Sequence, residues 1–104
     1  MSKYKVVFRP LAELDLLHLF DFIARESGAS VAAEYIDRIE AACLALERFP
    51  MSGTKRDDIA PGLRILGFER RVAIAFRVGR NEVVILRILY GGRDYARILA
   101  PTTT

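Results

Sequence analysis

The residues able to do chemistry in this chain of 104 are mostly arginines, and they gather late. Arg56, Arg64, Arg71, Arg77, Arg87 and Arg93 all fall in the second half, with Asp94 and Tyr95 directly after the last of them. A guanidinium is planar and always charged, and its fork fits carboxylates and phosphates alike. Residues 1–50 carry six Lys/Arg against eight Asp/Glu, whereas residues 51–104 carry ten against five, so the net charge of +3 conceals a split. Such a split suits an acidic partner, or a nucleic acid, meeting the basic half. The plainer reading is that the arginines keep a surface solvated. Other chemistry is thin. One histidine, His18, and one cysteine, Cys43, supply neither a zinc ligand set nor a disulfide. Gly91-Gly92 lacks the following helix and lysine of a phosphate-binding loop. The protein is expected to need no cofactor and no metal.

The elements that must position these arginines are strands. Arg71 to Val78 alternates, with Val72, Ile74, Phe76 and Val78 on one face and Arg71, Ala73, Ala75 and Arg77 on the other. That period of two marks a half-buried strand. Gly79-Arg80-Asn81-Glu82 is the turn into a second strand, Val83–Tyr90, and Leu63–Leu66, ended by Gly67, precedes them both. At the N-terminus Lys3–Arg9 alternates as a short strand, and Pro10 opens a helix running to about Glu26. Gly28 closes that helix, and Ser30 is the expected cap of a second one, whose apolar residues Ala32, Tyr35, Ile36, Ile39, Cys43 and Leu46 recur at helical steps. Phe49-Pro50 ends it, a polar loop covers Met51–Gly62, Ala96–Leu99 starts a short helix or strand, and residues 100–104 read as a frayed tail.

This order predicts one α+β domain over residues 1–104, with an antiparallel helical hairpin packed on one face of a small, mainly antiparallel, four-stranded sheet. Two helices cover only one face. The other, carrying Arg71, Ala73, Ala75 and Arg77, is expected to be bare, and Val83, Ile85, Arg87 and Leu89 join it if the last strand keeps its alternation. Exposed apolar surface of that kind marks a binding site. No segment reads as a leader and no stretch approaches the roughly 20 apolar residues of a membrane span, so the expected compartment is the cytoplasm.

With its order and spacing taken together, the chain resembles the ParE toxins of the RelE/ParE superfamily, from bacterial type II toxin–antitoxin modules. The resemblance rests on the opening strand with Pro10, Ala12 and Asp15-Leu16, then on FIARESGASVAAEYIDRI, LERFPMSG, the Gly62-Leu63-Arg64 strand start and the VVILRILYGGRD ending. It implies a hetero-oligomer with a ParD-like antitoxin whose C-terminal segment wraps the toxin. On this reading the antitoxin covers Arg71, Ala73, Ala75, Arg77, Ile85 and Arg87. It also implies poisoning of DNA gyrase without a reaction of the toxin's own and without sequence-specific nucleic-acid binding. Arg64, Arg93, Asp94 and Tyr95 are the expected target contacts. The RelE branch of the superfamily instead cuts messenger RNA on the ribosome. That needs an activated 2′-hydroxyl, a stabilised phosphate and a protonated leaving group. Arg64, Arg93 and Arg56 would stabilise the charge and Tyr95 would deliver the proton, but no general base is evident.

Overall fold

The computed structural model describes residues 4–91 and 95–101. Lys5–Phe8 forms β1, and Arg9 leads into α1, Pro10–Ser27, with proline at the first turn, where its missing N–H costs nothing. The connection to α2, Ala29–Leu44, is shorter than expected. Gly28 alone makes it, at φ +102°, closing α1 through its N–H to the Ala24 carbonyl and accepting from Ala32 N–H. Glycine adopts that conformation without a Cβ penalty. Ser30 therefore lies inside the helix and does not cap it. A 3₁₀ turn, Ala45–Glu47, ends the helical half before Phe49-Pro50 is reached.

The sheet has five strands, not four, in the order β1, β5 (Glu82–Tyr90), β4 (Val72–Val78), β3 (Leu63–Phe68) and β2 (Thr54–Lys55). The extra one is β2, Thr54–Lys55, two polar residues from the expected loop that pair with Ile65 and Arg64. Glycine does not stop the next strand: β3 runs from Leu63 through Gly67 to Phe68. β4, Val72–Val78, and β5, Glu82–Tyr90, follow, joined by a turn in which Gly79 N–H donates to the Glu82 carbonyl. β1 joins β5 in parallel, and every other pairing is antiparallel. The short helix α3, Tyr95–Leu99, comes last.

The main core lies between the helical hairpin and the sheet. Ala12, Leu16, Ile39, Cys43, Phe76 and Ile85 are buried together there. The large apolar ones each contribute about 1.5–3 kcal/mol of transfer free energy. Cys43 is wholly enclosed, and burial pushes its thiol up to about 12, so it stays protonated and unreactive at neutral pH.

A register shift between Ala75 and Phe76 places two residues of β5, Leu86 and Arg87, against one of β4. This bulge overturns the expected alternation. Before it, Val83 and Ile85 face the helices instead of the far face; after it, Ile88 faces the helices, while Leu89 is on the far face as expected and lines a cavity there with Ala73. Ile85 is fully buried on the helix side and does not belong to the opposite face. That opposite face is not bare either. Ile59 and Ala60, from the loop before β3, join Leu63, Ile65 and Ala75 in a second buried cluster, with Tyr95, Ala96 and Leu99 packed against it.

Candidate functional site

The late arginines reach four different settings. Arg87 leaves the bulge and meets Asp15 of α1 in a two-pronged pair, Nε to Oδ2 at 2.8 Å and Nη2 to Oδ1 at 3.0 Å. Asp15 also accepts the Ile88 backbone N–H at 2.8 Å. The carboxylate raises the Arg87 guanidinium above its ordinary value through that hydrogen bond. Arg87 was expected to meet an acidic partner from outside, but its partner is supplied by the fold. No sequence signal pairs the two, because 72 positions separate them.

Arg64 is the second setting. Its Nε donates to the Ser52 carbonyl at 3.2 Å and its Nη2 to the Met51 carbonyl at 2.6 Å. The guanidinium thus holds the loop before β2 against β3. The loop sits close: a Cβ on Gly53 would lie 2.4 Å from the Ile65 carbonyl oxygen, and Gly53 has φ +75°. On the same loop Phe49 and Met51 are 67% and 62% exposed, so an apolar pair stands out beside the Arg64 anchor.

Arg56 is the third. It grips Asp58 with Nε and Nη2 at 2.9 and 2.8 Å and donates from Nη1 to Tyr95 Oη at 3.3 Å, with its guanidinium 5.9 Å from the Tyr95 ring centre. That pair links α3 to the loop before β3. The Arg56 hydrogen bonds hold the Asp58 carboxyl below its ordinary value, and the Gly62 N–H does the same for Asp57. Both shifts are downward. Their stabilisation is therefore present at neutral pH and is lost as the pH falls through the ordinary carboxylate range, near pH 4, toward the lower folded values. Followed by NMR, the Gly62 amide resonance should move with an apparent midpoint below that of an unperturbed aspartate. A midpoint at the ordinary value would contradict the Asp57 bond.

The fourth setting is open surface. Arg70, Arg71 and Arg77 are exposed, and none forms an ion pair among the described residues. Arg77 stands across from Leu63 on the far face. Ala73 is half-buried there, and Ala75 is wholly covered by the chain's own second cluster. Arg71 lies at the β3–β4 turn, beyond the end of the strand it was expected to open. Arg93 and Asp94, the other expected target contacts, lie outside the described residues. His18 is exposed on α1, where it lines a groove with Asp15, Ile88 and Tyr90. Among the described residues no group of three His, Cys, Asp or Glu is placed to hold a metal ion, and no helix is long and apolar enough to cross a membrane.

Three comparisons bear on this arrangement. A family model described as "ParE toxin of type II toxin-antitoxin system, parDE" matches residues 6–95. Toxin ParE3 of Caulobacter vibrioides is 35% identical over 89 residues, which span 86% of this chain and 88% of that protein. A solved structure described as "Chromosomal ParDE TA system from P. aeruginosa" superposes with a TM-score of 0.76 at 27% identity, covering 86% of this chain and 97% of that one.

Proposed function

We propose a function from one premise: the chain belongs to the ParE toxin family of type II toxin–antitoxin systems. On that premise it arrests bacterial growth in the cytoplasm by binding and poisoning DNA gyrase, and a ParD-like antitoxin holds it inactive in a hetero-oligomer. One observation carries the choice of binding over RNA cleavage. Arg64, which a nuclease would aim at a phosphate, is engaged with two loop carbonyls, while Arg56 and Arg87 hold carboxylates. Charges already neutralised or tied down locally are poorly placed to stabilise a transition state. The loop that Arg64 anchors presents Phe49 and Met51, an apolar pair of the kind that seats in a partner's pocket. The antitoxin's segment is drawn to the uncommitted arginines, Arg70, Arg71 and Arg77, beside Ala73.

A second reading has its own observation. The Tyr95 phenol lies 3.3 Å from the Arg56 guanidinium, an arrangement that a ribonuclease of the RelE kind would use to deliver a proton beside a phosphate. Expression separates function from silence. Residues 1–104 produced alone in bacteria should stop growth, and co-expression of the adjacent antitoxin gene should restore it. Normal growth with soluble toxin on a blot would defeat both readings. Purified toxin should then block gyrase supercoiling while leaving messenger RNA on ribosomes intact; cleaved message with gyrase untouched would select the second.

A further inference from the structure

On the far face of the sheet, at the β3–β4 end, a cavity of about 210 Å³ adjoins the covered cluster and shares Ile65 and Tyr95 with it. Its making is visible in the sequence of two strands. Gly67 on β3 stands directly across from Ala73 on β4, so the register puts two of the smallest residues side by side. Ile65 and Leu89 bound the gap, and Tyr95 of α3 reaches its other side. A gap of this volume takes one side chain.

Among the described residues the rim is charged with one sign only: Arg70 and Arg71 both line the cavity, and no acidic residue among them does. Neither arginine forms an ion pair among the described residues. The turn that carries them is strained. Glu69 and Arg70 have φ +48° and +62°, a left-handed pair where glycine or asparagine would sit at less cost. Such strain persists only where surrounding contacts enforce it, and it concentrates at binding sites. Here Glu69 is pinned to Arg38 of α2 by two hydrogen bonds of 3.1 Å. That fixes the turn and sets Arg70 and Arg71 beside the gap.

We propose that this notch is an anchor point for the antitoxin: it receives one acidic side chain of the wrapping segment, with the aliphatic stem over Gly67 and Ala73 and the carboxylate between Arg70 and Arg71. The inference rests on the reading of the chain as an antitoxin-neutralised toxin. Charge complementarity selects the occupant. A basic side chain would meet two like charges, and a purely apolar one would leave both guanidiniums facing a desolvated neighbour.

Gly67 gives a test that does not depend on charge. Its φ is not in the left-handed region, and a Cβ added there meets nothing within 4 Å. The Cβ of Gly67→Ala therefore enters without a clash, and Gly67→Val and Gly67→Leu fill the notch progressively further. Calorimetric titration of each full-length variant with the product of the adjacent antitoxin gene should show affinity falling with side-chain size, by tenfold or more for leucine. Melting temperatures should hold or rise, because a strand glycine is replaced. The double variant Arg70→Gln/Arg71→Gln should bind about tenfold more weakly, and more so at low salt. If Gly67→Leu fails to fold, the arginine variant decides. Affinities within twofold of wild type for both would overturn the anchor and leave the antitoxin reading standing, since wild type still binds. No binding by wild type would remove both. Loss of gyrase inhibition with antitoxin affinity unchanged would also overturn it, by giving the notch to the target.

Discussion

Replacing Asp15 with alanine should lower the melting temperature of the free protein by roughly 10–20 °C. The size follows from where that carboxylate sits. β1 accompanies β5 only as far as Ile85, whose carbonyl takes the Arg9 N–H, and the chain then turns at Pro10 into α1. Beyond Ile85 the outer edge of β5 has lost its neighbouring strand. Asp15 replaces it, accepting the Ile88 N–H and both prongs of Arg87. The side chains are 24% and 13% exposed, so the pair is largely but not wholly withdrawn from water. Breaking a fully buried pair costs about 3–5 kcal/mol, mainly through the charge left behind. Partial exposure reduces that to about 2–3 kcal/mol here, at roughly 4–8 °C per kcal/mol for a domain near this size. Asp15→Asn keeps an acceptor for the backbone N–H and should recover part of the loss. A calorimetric shift under 3 °C for the alanine variant would mean that solvent already satisfies Arg87, and the strut would not matter.

That strut also marks the boundary of what the chain's letters reveal. Periodic signals are local, and they were legible. The helical steps of Ile39 and Cys43 place them in the core, and the alternation of Val72, Ile74 and Phe76 gives β4 its buried face. Gly28 and Gly79 mark turns because their backbone roles are local too. What was not legible depends on pairing. A two-residue strand such as β2 carries no alternation, and a bulge leaves no mark in a run apolar on both faces. Alternation alone therefore puts Ile85 on the wrong side. Partners remote in sequence were equally hidden: Asp15 for Arg87, Glu69 for Arg38, two backbone carbonyls for Arg64. The arginines were found as a group, but the sequence does not distinguish those that hold the fold together from those left facing outward.

Arg64 is where that distinction has its largest functional consequence. A surface arginine that touches the target directly can be replaced at little cost to the toxin itself. Arg64 is different, because removing it frees the Met51 and Ser52 carbonyls and unseats the loop carrying Phe49 and Met51. Hydrogen bonds from a charged donor contribute about 1.5–3 kcal/mol when buried, and for this half-buried side chain about 1–2 kcal/mol in total. Arg64→Ala should therefore melt roughly 4–16 °C lower and still fold, yet gyrase inhibition in a supercoiling assay should fall by about two orders of magnitude, the scale on which central interface anchors are lost. Phe49→Ala should reproduce the loss of inhibition with no change in melting, since its side chain already faces water. Antitoxin affinity should survive in both, because the uncommitted arginines lie elsewhere. Tyr95→Phe removes only a 3.3 Å bond to Arg56 and should leave inhibition nearly intact, whereas a ribonuclease losing its proton donor would slow about 100-fold or more. Full inhibition by both Arg64→Ala and Phe49→Ala would place the gyrase contact outside this loop. A large loss from Tyr95→Phe alone, accompanied by cut message, would return the choice to the nuclease.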